Sequence, residues 1–354
     1  MATQPTIIKK LNNSCAVIDD KIYDIESEAR GKRPKFWING KLFKQNLNES
    51  ALEAEAEVLA SVIAESVGYP AVKYSLAEMQ YQNQTYKGVL SEDYRNMFQG
   101  EVTEYSGKTI MDIYRATMYD NARGKSISPA NTIDFYTTAI SSMFRGEKQD
   151  NIRSQLLGLA TLDYVFSQSD RHMYNVCFLK DDNGIHVAPT FDNGAMCLFN
   201  YGSTKLANIA QSLAHTKEKN PNNKQKVNNF LNHTVHSDVM LGIHTPTSVI
   251  VNDESTGNSY NNFVNDNALQ DQFLTELAYE SSSQGNPIYD RLMDLDMDEV
   301  FAKCEDKGCV LDDNIKGLVK SVYDCRMDNL DRTMHKVDKT YIPREKRDMS
   351  KGEE

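Results

Sequence analysis

Asp170-Arg171-His172-Met173-Tyr174-Asn175, followed seventeen residues on by Asp192 within Pro189-Thr190-Phe191-Asp192-Asn193-Gly194, is the stretch on which the reading of the fold turns. An Asp with an Asn five positions on, carried by a tight loop, can orient a hydroxyl nucleophile with one side chain and hold a divalent cation with the other. A second Asp beyond a short hairpin completes an oxygen-rich metal site. Residues 176–179 and 185–187 are short apolar runs around Asp181-Asp182-Asn183-Gly184. Asn-Gly tolerates the positive φ of a hairpin turn, so Asp192 is expected to return beside Asn175. Upstream, residues 150–167 place Ile152, Leu156, Leu159, Ala160, Val165 and Phe166 at helical spacing, with Asp163 among them. A buried helix would deliver the loop rigidly. His172 reads as a packing and hydrogen-bonding residue, because Asp170 already fills the base-like role.

The first ninety residues read as strands around one helix. Residues 35–38 and 41–44 flank Asn39-Gly40, a second hairpin. Residues 50–67 are good helix formers, with Ser50 as a cap for Glu53 three positions on and Gly68 and Pro70 as the stop. Strands over 71–76 and 85–90, joined by a polar turn at 81–84, complete a small α+β lobe. After Ser91 the pattern turns helical, with further helices expected over 270–279, 287–303 and 312–335. The Asn-rich stretches 216–232 and 252–267 read as surface loops or a partly mobile insertion. The expected organisation is an α+β, two-lobed chain: a β-rich lobe with one long helix over 1–92, a mainly helical lobe over 93–335, and a charged tail over 336–354.

Composition narrows the functional classes. The chain has 354 residues, enough to bury a sizeable core, and a formal net charge of −11. That charge argues against nucleic acid or an anionic membrane as a general partner. Six scattered cysteines without a Cys-x-x-Cys pair suit a reducing compartment and give no zinc site. No apolar run reaches the eighteen residues of a membrane span, and residues 1–14 lack a signal-peptide core. A cytoplasmic protein is expected, or an effector delivered into another cell by a route other than general secretion.

Phosphoryl transfer needs positioning and positive charge against phosphates. Asp170 would orient the acceptor hydroxyl, Asn175 and Asp192 would hold Mg²⁺ (Mn²⁺ is the alternative), and Lys44 would reach the α- and β-phosphates of ATP from its strand. A helix glutamate would fix Lys44: Glu57 is favoured, with Glu53 one turn earlier as the alternative. Residues 26–35 set Gly31 among Arg30, Lys32, Arg33 and Lys35, a candidate cover for the phosphates. No Gly-x-x-x-x-Gly-Lys-Ser/Thr occurs, which disfavours a P-loop enzyme.

Ser169-Asp170-Arg171-His172-x-x-Asn175 with Pro189-x-Phe191-Asp192 resembles the HipA-like family of atypical serine/threonine protein kinases. The likeness extends to Phe36-Trp37, Leu42-Phe43-Lys44, the Glu- and Ala-rich helix ending in Gly68-Tyr69-Pro70, and Gly88-Val89-Leu90-Ser91. It covers about residues 25–95 and 150–200 by motif. It implies a protein-kinase-like fold with Mg-ATP between two lobes and a protein hydroxyl as acceptor. It also implies a hinge over 89–93, in which Val89, Leu90, Ser91 and Glu92 meet adenine, and autophosphorylation, for which Ser27 stands in a comparable place. The short stretch ahead of the phosphate-loop candidate argues against an antitoxin partner and fits the compact, stand-alone CtkA-like layout. Asp-Arg-His-x-x-Asn also resembles the catalytic loop of phosphoinositide kinases, but no cationic cluster follows Asp192. An ATP-binding pseudokinase serving as an interaction module is the third reading.

Overall fold

In the computed structural model, residues 6–10, 22–24, 35–38, 40–46, 51–81, 84–119, 132–146, 148–149, 151–168, 170–171, 174–236 and 267–339 are described. The chain divides into two compact units, each drawn from three segments: residues 1–98, 189–227 and 296–320 in one, and 99–188, 228–295 and 321–354 in the other.

The first unit holds a six-stranded antiparallel sheet made of β1 (Thr6–Lys10), β2 (Ile22–Asp24), β3 (Lys35–Ile38), β4 (Lys41–Gln45), β5 (Tyr74–Tyr81) and β6 (Gln84–Glu92). Their order is β1-β5-β6-β4-β3-β2. The β3–β4 hairpin pairs Phe36 with Phe43 and Trp37 with Leu42, and Gly40 takes φ +73° at the turn. Ile38, Phe43, Ala77, Met79 and Leu90 form a buried cluster, with Phe36 and Tyr86 packed on it. β6 lies between β4 and β5, and Gly88 lets it come close: a Cβ there would stand 2.2 Å from the Lys44 carbonyl oxygen. β5 begins at Tyr74, three residues later than the pattern suggested, and its ladder runs to the Tyr81–Gln84 pair. Ala71 instead forms a parallel bridge to Thr190.

Helix α1 (Glu53–Ser66) buries Ala54, Ala56, Val58, Leu59, Val62, Ile63 and Ala64, so little of its circumference is polar. Leu52 occupies the N-cap and no side chain caps it, a correction to the expected Ser50–Glu53 box; Ser50 lies outside the described residues. The C-terminus follows the expected stop. Gly68, at φ +63°, donates to Glu65 O at 3.0 Å and Tyr69 donates to Ala64 O at 2.8 Å, which is a Schellman motif. Helix α9 (Met297–Asp306) packs on α1 and ends the same way, through Gly308 and Cys309.

The second unit contains a three-stranded antiparallel sheet, order β7-β8-β9, built from β7 (Thr103–Ser106), β8 (Cys177–Asp181) and β9 (Gly184–Val187). β8 and β9 form the expected hairpin, in which Asp181 Oδ1 accepts the Asn183 N–H at 2.7 Å and shapes the turn. β7 was not anticipated. Around the sheet run α2 (Gly107–Tyr119), α3 (Thr132–Met143), α4 (Ile152–Val165), α7 (Asn267–Gln284), α8 (Pro287–Met293) and the greater part of α10 (Asp313–Val337). α4 is buried along almost its whole length, as its composition demands. Asn286 Oδ1 caps α8 by accepting from Ile288 N and Tyr289 N, while its Nδ2 donates to Thr161 Oγ1 of α4 at 2.8 Å.

Two further readings are corrected. Residues 216–232 are helical except for a turn over 220–223, falling in α5 (Ser203–Lys219) and α6 (Lys224–His236), with Leu206, Ala210 and Leu213 supplying α5's buried stripe. The expected helix over 287–303 is two helices, because Asp296 caps α9 by accepting from Asp298 N at 2.8 Å. Residues 252–266 and 340–354 lie outside the described residues, and no described helix is long and apolar enough to cross a membrane.

Candidate active site

In the first unit the site is built around Lys44. Its strand position turns the side chain inward, leaving the residue 4% exposed, and two carboxylates meet its ammonium. Nζ lies 2.5 Å from Glu57 Oε1 and also pairs with Asp192 Oδ1. Glu57, the favoured glutamate of α1, is fully buried, and Oε2, its other carboxylate oxygen, accepts the Asn193 N–H at 2.8 Å. One carboxylate therefore holds both the strand lysine and the backbone just beyond Asp192. Glu53 is buried on the same helix but is not the glutamate that pairs with Lys44 here.

Asp192 sits at φ +56°, a left-handed conformation uncommon for a residue other than glycine. Its neighbours hold it there. Thr190 Oγ1 donates to Asn193 Oδ1 at 3.1 Å, and Thr190 is fixed to the 70–72 segment through Pro70 O and Val72 N. Phe191 stacks on Tyr94, the rings 5.9 Å apart and 9° from parallel.

Val89, Leu90, Ser91 and Glu92 all belong to β6 and pair to β4, the first three of them buried, so of the expected 89–93 stretch only Asp93 lies beyond the sheet. Asp93 caps the following 3-10 turn (Tyr94–Met97) by accepting Arg95 N at 3.0 Å. Arg95's guanidinium offsets the mild burial of Asp93 and holds its carboxyl below the usual range. Ser27, Arg30, Gly31 and Lys32 lie outside the described residues.

In the second unit the loop after α4 is organised by Arg171, which is only 1% exposed. Its Nε and Nη2 grip Asp163 at 3.0 Å each, and Nη1 donates to Asn175 O at 3.0 Å. The Asn175 amide Nδ2 donates to Asp170 O at 2.8 Å. The loop is thus closed twice across its six residues. With its nitrogen committed inward, Asn175 has its amide oxygen as the atom suited to a cation. Asp163 escaped the sequence reading as a functional residue. A lone carboxylate on a mainly apolar helix, eight residues ahead of an arginine, was the available signal. Burial pushes the Asp163 carboxyl up, and the Arg171 charge opposes that push. His172 lies outside the described residues.

Among the described residues no three His, Cys, Asp or Glu side chains gather as a metal-binding group. Mg²⁺ does not require one: it is commonly bound by one or two carboxylates with substrate phosphates and water, and Asp192 in the first unit offers such a carboxylate.

A small antiparallel sheet with one buried helix, a strand lysine paired to that helix's glutamate, and a larger mainly helical part define a kinase-like fold. The solved structure of the proinflammatory kinase CtkA from Helicobacter pylori shares this fold. It matches with TM-score 0.52 over 88% of this chain and 92% of that one, at 14% identity. HipA of Shewanella oneidensis MR-1, solved with HipB and operator DNA, is matched with TM-score 0.37 over 93% of this chain and 72% of that one, at 13% identity. By sequence, no protein family and no curated protein matches the chain.

Proposed function

We propose that the protein is an Mg-ATP-dependent serine/threonine protein kinase of the HipA/CtkA-like type, active on protein hydroxyls and on itself. The observation that carries this reading is the pairing of Lys44 with both Glu57 and Asp192. A strand lysine fixed by a helix glutamate and set beside a loop aspartate is the arrangement that phosphoryl transfer from ATP uses to grip phosphates and metal together. In this reading Lys44 binds the α- and β-phosphates, and Glu57 keeps its ammonium aimed. Val89, Leu90, Ser91 and Glu92 line the adenine side, and Arg30, Gly31 and Lys32 cover the phosphates. Asp170 accepts the hydrogen bond of the acceptor hydroxyl and orients it for in-line attack. Asn175 and Asp192 are the residues that would hold Mg²⁺, which when bound neutralises charge on the phosphate oxygens. The partner is then a protein substrate, with Ser27 as a candidate site of autophosphorylation.

Incubation with γ-labelled ATP tests the proposal. Label is expected on the protein itself or on a generic protein substrate, as phosphoserine or phosphothreonine. Asp170→Asn and Asp192→Asn should each abolish it. Label confined to phosphoinositide would replace this reading with a lipid kinase, and ATP binding without any transfer would replace it with a pseudokinase. Intact-mass mapping that finds phosphate elsewhere than Ser27 would remove that site alone.

A further inference from the structure

Both neighbours of Asp192 are anchored, and by different elements. Asn193 is held by Glu57, the partner of Lys44, and by Thr190. Phe191 is held by an aromatic stack that this reading leaves without a task. Its partner, Tyr94, stands two residues beyond Glu92, the last residue of β6, and opens the 3-10 turn. That turn is well fixed: Asp93 caps it, Arg95 returns two nitrogens to the Asp93 carboxylate, and the Arg95 guanidinium lies 5.9 Å from the centre of the Trp37 ring. Tyr94 is therefore a ring on a pinned turn, set nearly parallel to the ring next to Asp192.

The backbone conformation of Asp192 gives this stack leverage. At φ +56° the residue is outside the basins that most side chains prefer, so the direction of its carboxylate depends on what restrains the flanking residues. We infer that Tyr94 is a positioning residue: by stacking on Phe191 it fixes the presentation of the Asp192 carboxylate to a divalent cation. The segment leaving β6 is thereby tied to the metal-binding aspartate. This inference rests on the kinase reading. Tyr94 touches no reacting atom in it and acts only through Phe191.

An offset or parallel stack has the strength to shift metal affinity by about two- to tenfold. The test is a Mg²⁺ titration of the thermal stabilisation given by saturating ADP, together with ADP binding measured in EDTA. Tyr94→Ala should raise the Mg²⁺ concentration at half-maximal stabilisation by about two- to tenfold while leaving metal-free ADP affinity unchanged. Tyr94→Phe, which keeps the ring, should restore the wild-type midpoint. Tyr94→Leu keeps apolar bulk without a ring, guards against a folding defect, and should behave as the alanine variant does. Phe191→Ala should shift the midpoint alike, and combining it with Tyr94→Ala should add little. An unshifted midpoint in both Tyr94→Ala and Tyr94→Leu overturns the inference, as does an equal loss of metal-free ADP binding. A wild-type protein that ADP and Mg²⁺ together fail to stabilise overturns the kinase reading itself, and the inference with it.

Discussion

Replacing Arg171 with alanine tests the organisation of the catalytic-loop candidate through stability and activity at once. The side chain is 1% exposed and makes a two-pronged contact with Asp163 plus a third bond to the Asn175 carbonyl. Removing one member of a buried ion pair strands the other, at about 3–5 kcal/mol, and the lost carbonyl bond adds about 1 kcal/mol. With a urea slope of about 3 kcal/mol/M, the unfolding midpoint should fall by about 1.5 M. The loss should also depend on pH. Burial pushes the Asp163 carboxyl above its ordinary value of 3.8, and Arg171 is the charge that opposes this. Without Arg171 the folded-state pKa rises further. A group so shifted contributes stability that is fully present below its unfolded pKa and lost as pH rises through its folded pKa. The deficit of Arg171→Ala is therefore largest at pH 7 and shrinks as pH falls toward 4, and Asp163→Asn in the same chain should recover part of it. Phosphoryl transfer should drop by at least about 100-fold, because the Asp170 to Asn175 loop loses one of its two closures. A deficit under about 1.5 kcal/mol at pH 7, or one equal at pH 4.5 and pH 7, would refute the argument from the buried pair.

Three other substitutions probe separate parts of the chain. Gly88→Ala would place a Cβ 2.2 Å from the Lys44 carbonyl oxygen, so β4 must shift at the residue that carries the ammonium; a loss of about 1–3 kcal/mol by urea unfolding and weaker nucleotide binding by calorimetry are expected. Asn286→Ala removes the cap of α8 and the bonds to Thr161 and Ser281, which should lower stability by about 2–4 kcal/mol in the same assay. Lys307→Ala acts on Glu65. Burial raises that carboxyl, but the bonds from Lys307 and Lys73 outweigh burial and hold it below 4.5. The pair is partly exposed, so its contribution of at most about 1 kcal/mol should be present at neutral pH and vanish as pH falls below the ordinary carboxyl range, merging the wild-type and variant stability curves there.

What the sequence revealed and what it withheld follow from the range of the forces involved. The β3–β4 hairpin was legible because Asn39-Gly40 between apolar runs fixes a turn locally; the β8–β9 hairpin was legible from the same signal, although its two turn residues are Asp182 and Asn183 and Gly184 already begins β9. The end of α1 at Gly68 and Pro70 was legible for the same reason. The choice of Glu57 over Glu53 was nearly open at the sequence level, since both sit on the buried helix; which one meets Lys44 depends on the rotation of α1 against β4. β7 was invisible because four residues, Thr-Glu-Tyr-Ser, half exposed, become a strand only by pairing with β8. The helices across 216–232 were hidden by their composition. The asparagines there are weak helix formers, no continuous apolar stripe marks the stretch, and in α5 only Leu206, Ala210 and Leu213 are buried. The grip of Arg171 on Asp163 spans only eight residues but joins a helix to a loop, and no periodicity encodes it.

The packing of α9 against α1 carries a consequence for how the chain is made. α1 leaves the ribosome early, whereas the helix that covers it begins at Met297, about 230 residues later. At a synthesis rate of about 5–20 residues per second, that face of α1 waits roughly 10–50 seconds for its cover. The buried alanine, valine, leucine and isoleucine side chains of α1 are therefore, on the nascent chain, a sticky surface that outlasts many collapse events. The unit containing Lys44 and Glu57 is started first, yet it cannot close until its third segment, residues 296–320, has been made.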